Sequence, residues 1–335
     1  MKFPRFAAAR LRLRAAALGI AAACALVSGA TVHAQTFPDR PVKLLVAFPP
    51  GGATDTIGRE VAKGLNAIWG QAVVIDNKPG AGGMIAAAET ARAKPDGHTL
   101  FLATDGSVVA IPILQEKVPY NPLTDLSPIA LVGGIPLILV ANHSLKVKTL
   151  ADFVALAKSK PEGIDYASSG IGASHHLSME SLQRATGTKL HHIIYKGGAP
   201  ALQAVLAGEV GVSWVAVSTA LPHIQAGKLV PLAIGSLERS PLLANVPTVA
   251  ELGYPGFEAG NWVGIIGPKD MDPAMVRKIR GDLMKVVASP GYRERLVSQG
   301  NEVRSSTSEE FSKRIHEEYA RNKSFFTSIG AAAKP

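Results

Sequence analysis

Short apolar runs alternate with helix-period stripes along most of the chain. Residues 41–47 read as a strand and lead into a helix that ends near Trp69, with Ile57, Val61, Leu65 and Ile68 on one face. Strands over 72–76 and 98–104 flank an alanine-rich helix over 84–93. An apolar strand over 135–141 follows, and there the pattern restarts. Thr149 can cap a helix through Lys158, and strands over 163–168, 190–195, 210–215 and 229–234 alternate with helices over 174–185, 201–206 and 219–225. Residues 239–256 are rich in Pro and turns and read as a connector. A strand over 261–267 precedes helices over 273–288 and 291–298. In the last helix, Thr307 and Glu310 have capping-box spacing, and Phe311, Ile315 and Tyr319 recur every fourth residue. The alternation predicts an α/β protein with largely parallel sheets.

The punctuation between elements holds the candidate chemistry. After the first strand comes Phe48-Pro49-Pro50-Gly51-Gly52-Ala53-Thr54-Asp55. The prolines stop the strand, the glycines allow a sharp turn, and Thr54 or Asp55 can cap the next helix. Open amides at such a helix start attract anions, so Pro50, Gly51, Gly52, Ala53, Thr54 and Asp55 form one half of an expected carboxylate site. A plain turn explains the same residues. A phosphate loop does not, because Gly-Lys-Ser/Thr is replaced by Gly-Ala-Thr-Asp. Thr104 and Ser107 end another strand, and Ser168, Ser169 and Gly170 end a third ahead of a helix that Ser174 can cap. Tyr195, Lys196 and Gly197 follow a fourth. In parallel sheets, ligands gather at such strand ends. Ordinary caps and turns account for each serine taken singly, Lys196 also suits a solvated turn, and Trp214 suits either a cleft wall or a core.

Composition narrows the class. Residues 1–34 read as a secretory signal peptide: five basic residues, an apolar stretch, then Val32-His33-Ala34 before Gln35. Cys24, the only cysteine, lies in that stretch, so a lipid attachment there is the alternative to simple cleavage. Without it the mature chain has no thiol, hence neither a disulfide nor a thiolate ligand. The net charge of +9 falls to +4 once the signal is removed, and no basic run is interleaved with aromatics, which argues against nucleic acid. His175/His176 and His191/His192 are adjacent pairs that diverge on a helix and a strand, so no metal or other cofactor is expected. No Gly-x-Ser-x-Gly elbow is present for a hydrolase.

Taken in order, Phe37-Pro38-Asp39-Arg40-Pro41, Phe48-Pro49-Pro50-Gly51-Gly52, Asn77-Lys78-Pro79-Gly80-Ala81-Gly82-Gly83, Pro95-Asp96-Gly97, Val118-Pro119-Tyr120, Tyr195-Lys196-Gly197-Gly198-Ala199-Pro200 and Val246-Pro247-Thr248-Val249-Ala250-Glu251 resemble the Bug/TctC family of periplasmic solute receptors. The resemblance spans the mature chain. It implies a two-domain type II periplasmic-binding-protein fold with mixed, mostly parallel sheets and an interdomain cleft. The implied domains are 35–139 plus 260–335, and 140–259. It also implies carboxylate binding through loop amides and hydroxyls at Gly51, Gly52, Ala53, Thr54, Ser168, Ser169, Ser174 and Tyr195. The family often carries polar groups near 211 and 216–218; here Val215-Ala216-Val217 is apolar and Ser218 is the hydroxyl kept in the candidate set. A less polar far wall is therefore expected, suited to a monocarboxylate or to a dicarboxylate with an aliphatic or aromatic body.

The expected function is that of a monomeric, non-enzymatic receptor in a Gram-negative periplasm. It would capture an organic carboxylate and deliver it to the membrane permease of a tripartite tricarboxylate transporter. The alternatives are a receptor for a two-component sensor kinase, and an exported hydrolase using Ser168 or Ser169 with a nearby His.

Overall fold

The computed structural model describes residues 37–160, 162–195 and 198–330. The readings of residues 1–34, of Cys24, and of Lys196 and Gly197 as ligand groups lie outside these. The first part of the chain runs β1 (Val42–Val46), α1 (Ala53–Trp69), β2 (Val73–Asn77), α2 (Met84–Ala91), β3 (Thr99–Thr104), α3 (Ile111–Leu114) and β4 (Leu126–Ala141). It continues through α4 (Leu150–Ser159), β5 (Asp165–Ser168), α5 (Ser174–Thr186), β6 (His191–Ile194), α6 (Gly198–Ala207), β7 (Val212–Ala216), α7 (Val217–Gln225) and β8 (Val230–Ile234). Strand β9 (Gly260–Pro268) and helices α8 (Pro273–Val287), α9 (Pro290–Ser298) and α10 (Ser308–Ser328) complete it.

Two sheets share one strand. In the first, β1 lies parallel between β2 and β3, and β9 runs antiparallel between β3 and β4. Strand β4 pairs with β9 from Leu126 to Pro136, then from Leu137 to Ala141 with β7 and β8. Strand β5 joins β7 to the edge strand β6, both in parallel. The sheets are thus mixed, with parallel pairs outside and antiparallel pairs where β4 and β9 carry the chain from one lobe to the other.

Strand β4 begins nine residues before the sequence pattern suggests, since the reading placed its start at Ile135 and it starts at Leu126. Pro128 and Gly133-Gly134 look like breaks, yet they fall at register shifts within the β4–β9 ladder, where Pro and Gly are tolerated. A β-carbon on Gly133 would stand 3.2 Å from the Glu302 carbonyl, so the glycine admits a close backbone approach. Residues 198–200 belong to α6, which the sequence pattern starts only at 201; Pro200 lies in its first turn, where a missing N–H breaks no helical bond. On α1, Ile57, Val61 and Leu65 are buried as the period predicts, whereas Ile68, near the helix end, is exposed.

The first lobe packs Leu45, Phe101, Trp262, Phe311 and Phe326 into one core. In the second, Phe153, Tyr166, Trp214 and Phe257 fill one face of the sheet, and Ile138, Val140, Val205, Val215 and Val217 fill the other. Trp214 is fully buried, which selects the core reading over the cleft reading. The expected capping box of Thr307 with Glu310 is present on α10, and the expected cap Thr149 also forms a box, with Asp152, on α4. Among the described residues, no helix is long and apolar enough to cross a membrane.

Candidate functional site

At the end of β1, residues 49–52 are exposed and Gly52 is the N-cap of α1, in place of Thr54 or Asp55. Having no side chain, Gly52 cannot satisfy the amides of the first turn. Asp55 does a different job. Its Oδ2 accepts from Gly51 N (2.9 Å) and Arg59 Nε (2.8 Å), and its Oδ1 accepts from Asn77 Nδ2 (2.9 Å). Burial alone would raise its pKa, but the bonds from Arg59, Gly51 and Asn77 outweigh it and hold the carboxyl below the usual range. Asp55 therefore fixes the loop by tying Gly51 to Arg59 and Asn77. Gly51 has φ +87°, and an added β-carbon there would meet nothing within 4 Å. Pro50 is exposed, Ala53 half-buried and Thr54 buried.

The turn after β3 is closed on itself. The Ser107 hydroxyl accepts from Thr104 N (3.0 Å) and donates to Thr104 O (2.9 Å), while Tyr120 Oη donates to Ser107 O (3.1 Å). Both Thr104 and Ser107 are buried. Their hydroxyls build the turn instead of facing a solute.

The turn after β5 separates the two serines. Ser168 is fully buried; its hydroxyl accepts from Gly170 N (3.0 Å) and contacts His192 Nε2. Ser169 is half-buried, with its hydroxyl 2.9 Å from His175 Nδ1. The N-cap of α5 is Ala173, not Ser174, so this helix too begins without a side-chain acceptor. Ser174 instead supplies the first amide. Gly170 faces open space, as Gly51 does. Helices α1, α5 and α7 all lack side-chain caps (Gly52, Ala173 and Ala216), whereas Thr149, Asp272 and Thr307 cap α4, α8 and α10. These three starts follow β1, β5 and β7, at the strand ends where ligands collect, and α2, α3 and α9 likewise begin without a side-chain cap.

The imidazoles converge in a way that adjacent pairs in the sequence conceal. His192 stacks on Tyr166 (4.9 Å) and on His176 (4.4 Å), and His176 Nδ1 accepts from Gly172 N at 3.2 Å. Burial depresses the pKa values of His175 and His176 to about 4, and of His192 to a lesser degree. Among the described residues, no carboxylate hydrogen-bonds His175 or His192. Neither serine therefore has a carboxylate-oriented imidazole beside it among the described residues.

Other expected residues fall less centrally. Tyr195 is half-buried. Ser218 is the second residue of α7, where a β-carbon on Gly300 would lie 2.9 Å from its amide nitrogen. Val215 and Val217 point into the second lobe's core, so the inference of an apolar far wall from that stretch does not hold. The lobes touch where a β-carbon on Gly172 would reach within 2.1 Å of Leu114 Cδ1 and 3.7 Å of Phe326 Cζ.

A cavity of about 490 Å³ opens between α5, the start of β9 and α10. Asp105, Ser174, Glu180, Trp262, Arg314 and Glu318 are among its walls. Of these, sequence reasoning singled out only Ser174. The others sit in segments that read as ordinary amphipathic helix or strand, and the chain order gives no sign that they meet.

A family model described as "Tripartite tricarboxylate transporter family receptor" matches residues 57–331. Protein BugT of Bordetella pertussis is 38% identical over 286 residues, covering 85% of this chain and 87% of the relative. Among solved structures, R. palustris Rpa4515 with adipate is 30% identical, covers 89% of this chain and 99% of that one, and superposes with a TM-score of 0.75. MatC from Rhodopseudomonas palustris with bound malate is 31% identical, with coverages of 86% and 99% and a TM-score of 0.70. The periplasmic binding protein BugD is 33% identical, with coverages of 89% and 100% and a TM-score of 0.72. Two lobes joined by β4 and β9, uncapped helix starts at the strand ends and a match over most of the sequence agree: the chain has the two-domain periplasmic-binding-protein fold and belongs to the Bug/TctC family of tripartite tricarboxylate transporter receptors.

Proposed function

We propose that the protein is a periplasmic receptor that binds a small organic carboxylate between its lobes and passes it to a tripartite membrane transporter, without chemical turnover. The observation that carries this reading is the pair of helix starts at Gly52 and Ala173, both uncapped, the first next to Gly51 and the second three residues after Gly170, glycines that face open space. Such starts offer backbone N–H groups and the positive end of the helix dipole to an anion. Adipate and malate, named with the two related structures, are small organic carboxylates. The expected domains, 35–139 plus 260–335 and 140–259, would then be the halves that close on the solute, with β4 and β9 as the hinge. Export to the periplasm and the partnership with permease subunits rest on the family alone.

The test is a thermal-shift screen of organic acids on the mature protein and on Gly52→Val. A ligand at a hundredfold excess over its Kd stabilises by about 2.7 kcal/mol. Gly52 has ordinary φ and ψ (−75°, 166°), and an added β-carbon would meet only the Pro49 carbonyl, at 3.7 Å. The substitution should therefore leave the unliganded protein folded and remove the shift. A full shift in the variant would take the first loop out of the site, and turnover of any bound acid would overturn the receptor reading.

A further inference from the structure

Two arginines of the first lobe converge on one carboxylate of the second. Glu258 lies two residues before β9, between Phe257 and Ala259, which pack in the second lobe's core, and the Ala259 amide donates to Gly235 O (2.8 Å). Its Oε1 accepts from Arg304 Nη1 (2.5 Å), and Arg314 Nη2 stands 3.3 Å from both of its oxygens. Arg314 is on α10, and Arg304 follows Glu302, whose amide and carbonyl exchange bonds with Gly134 of β4 (2.8 and 2.9 Å). Each arginine also holds an acid of its own lobe: Arg304 Nε and Nη2 donate to Glu302 Oε2 (3.0 and 2.8 Å), and Arg314 Nε donates to Glu318 Oε1 (2.8 Å). Glu258 is the acid they share, and it comes from the other side of the joint.

The joint itself is narrow. Strand β4 changes partner between Pro136 and Leu137, and the chain enters β9 through Gly260, at φ +148°. A rotation there moves Glu258 relative to Arg304. The guanidinium has no room to follow: the Arg304 side chain is only 16% exposed, and a β-carbon on Gly134 would stand 2.5 Å from its Nε. Burial alone would raise the Glu258 pKa, but Arg304 and Arg314 outweigh it, so the carboxylate is ionised and its bonds are charge-assisted.

We propose that Glu258 is a latch across the hinge: its bonds to Arg304 and Arg314 hold the lobes at the separation seen, and its release frees them to swing without loosening either core. The assignment rests on β4 and β9 serving as the hinge, as in the receptor reading above, and adds the side chains that set the resting angle. Removing one partner of a buried pair normally strands a charge. Here the loss of Glu258 leaves both arginines paired within their own lobe, so the tie is separable from the fold.

The interlobe distance of the mature protein, measured by double electron–electron resonance with no solute present, tests it. Residues 35–335 contain no cysteine, so Lys63→Cys on α1 and Lys158→Cys on α4, both exposed, take one nitroxide each. In this background Glu258→Gln should shift or widen the distance distribution by more than the width of the parent distribution. Glu302→Gln removes an acid from the same arginine but inside one lobe, and should leave the distribution as it was. An unchanged distribution in Glu258→Gln overturns the inference. So does an equal change in both variants, which would mean general loosening. A urea melt of each variant shows whether it is folded. If Glu258→Gln is not, Arg304→Lys, which keeps the charge but loses the fork that spans two acids, is set against Glu302→Gln by the same criterion. Carboxylate binding is decided separately, by the thermal-shift screen, so either reading can fail without the other.

Discussion

His176 and His192 lie ring on ring, 4.4 Å between centroids and 8° from parallel, although they come from a helix and a strand sixteen residues apart. Two protonated imidazoles at that distance would repel, and the site tolerates them only neutral. Burial, with His192 as a further cause at His176, takes His175 and His176 from the ordinary 6.5 to about 4. Between those values the unfolded chain binds more protons than the folded one, so these groups make stability rise with pH across that window. Asp105 acts in the opposite sense: its pKa is raised from 3.8 to about 7, so its contribution is complete below 3.8 and is lost as pH rises through 7. Two histidines against one aspartate leave wild type with a net slope of about one proton over this window. Asp105→Asn should show the histidine slope unopposed, about twice as steep between pH 4 and 6.5. Urea melts at stepped pH check this, and a variant profile as shallow as that of wild type would contradict it.

Asp55 is only 1% exposed and ties Gly51, Arg59 and Asn77 together. Asp55→Ala should cost about 2–3 kcal/mol, because the Gly51 and Asn77 donors lose their acceptor in a buried place. Arg59 is exposed and contributes little of that, so Arg59→Ala should cost far less than Asp55→Ala. Urea midpoints of the two variants give the comparison. Equal losses would mean that the ion pair, and not the loop bond, holds Asp55.

The sequence made the first loop, the caps at Thr149 and Thr307 and the alternation of strand and helix readable, because each follows from neighbours within about one helical turn. The role of Asp55 was not readable. Its partner Asn77 comes from the next strand, and only parallel pairing of β1 with β2 brings it close. The hydroxyls of Thr104 and Ser107 looked available until the backbone folded them onto each other. Lone side chains at strand ends suggest a ligand more readily than they suggest a self-contained turn. Strand β4 was half legible because its register shifts carry Pro and Gly, which read locally as stops. The Asp105 cavity was the least legible, since its walls span residues 105 to 325.

Trp262 joins strand β9 to α10 through its bond to Glu318. Trp262→Phe keeps an aromatic ring against Phe311, which the indole meets edge-on at 5.0 Å. It removes the donor from a buried carboxylate that keeps only Arg314. A loss of about 1–3 kcal/mol is expected, and Trp262→Phe combined with Glu318→Gln should recover part of it, since a neutral amide tolerates the missing donor better. Thermal melts of the single and double variants decide; an additive double variant would place the effect in ring packing instead.

Gly172 brings the second lobe's serine loop against the first lobe, and its φ of +80° is strained for any other residue. Gly172→Ala should cost about 1 kcal/mol in backbone strain alone. Gly172→Leu adds a side chain where Leu114 already stands, 2.1 Å from the first added atom. Relief by swinging the lobes apart is less costly than crushing a packed contact, because hinge motion leaves each core intact. The radius of gyration from solution scattering should therefore increase in Gly172→Leu and return toward wild type in Gly172→Leu with Leu114→Ala, while the strain on stability persists in both. Unchanged scattering in the single variant would mean that the loop absorbs the insertion locally, and that Gly172 against Leu114 does not set how closely the two lobes approach.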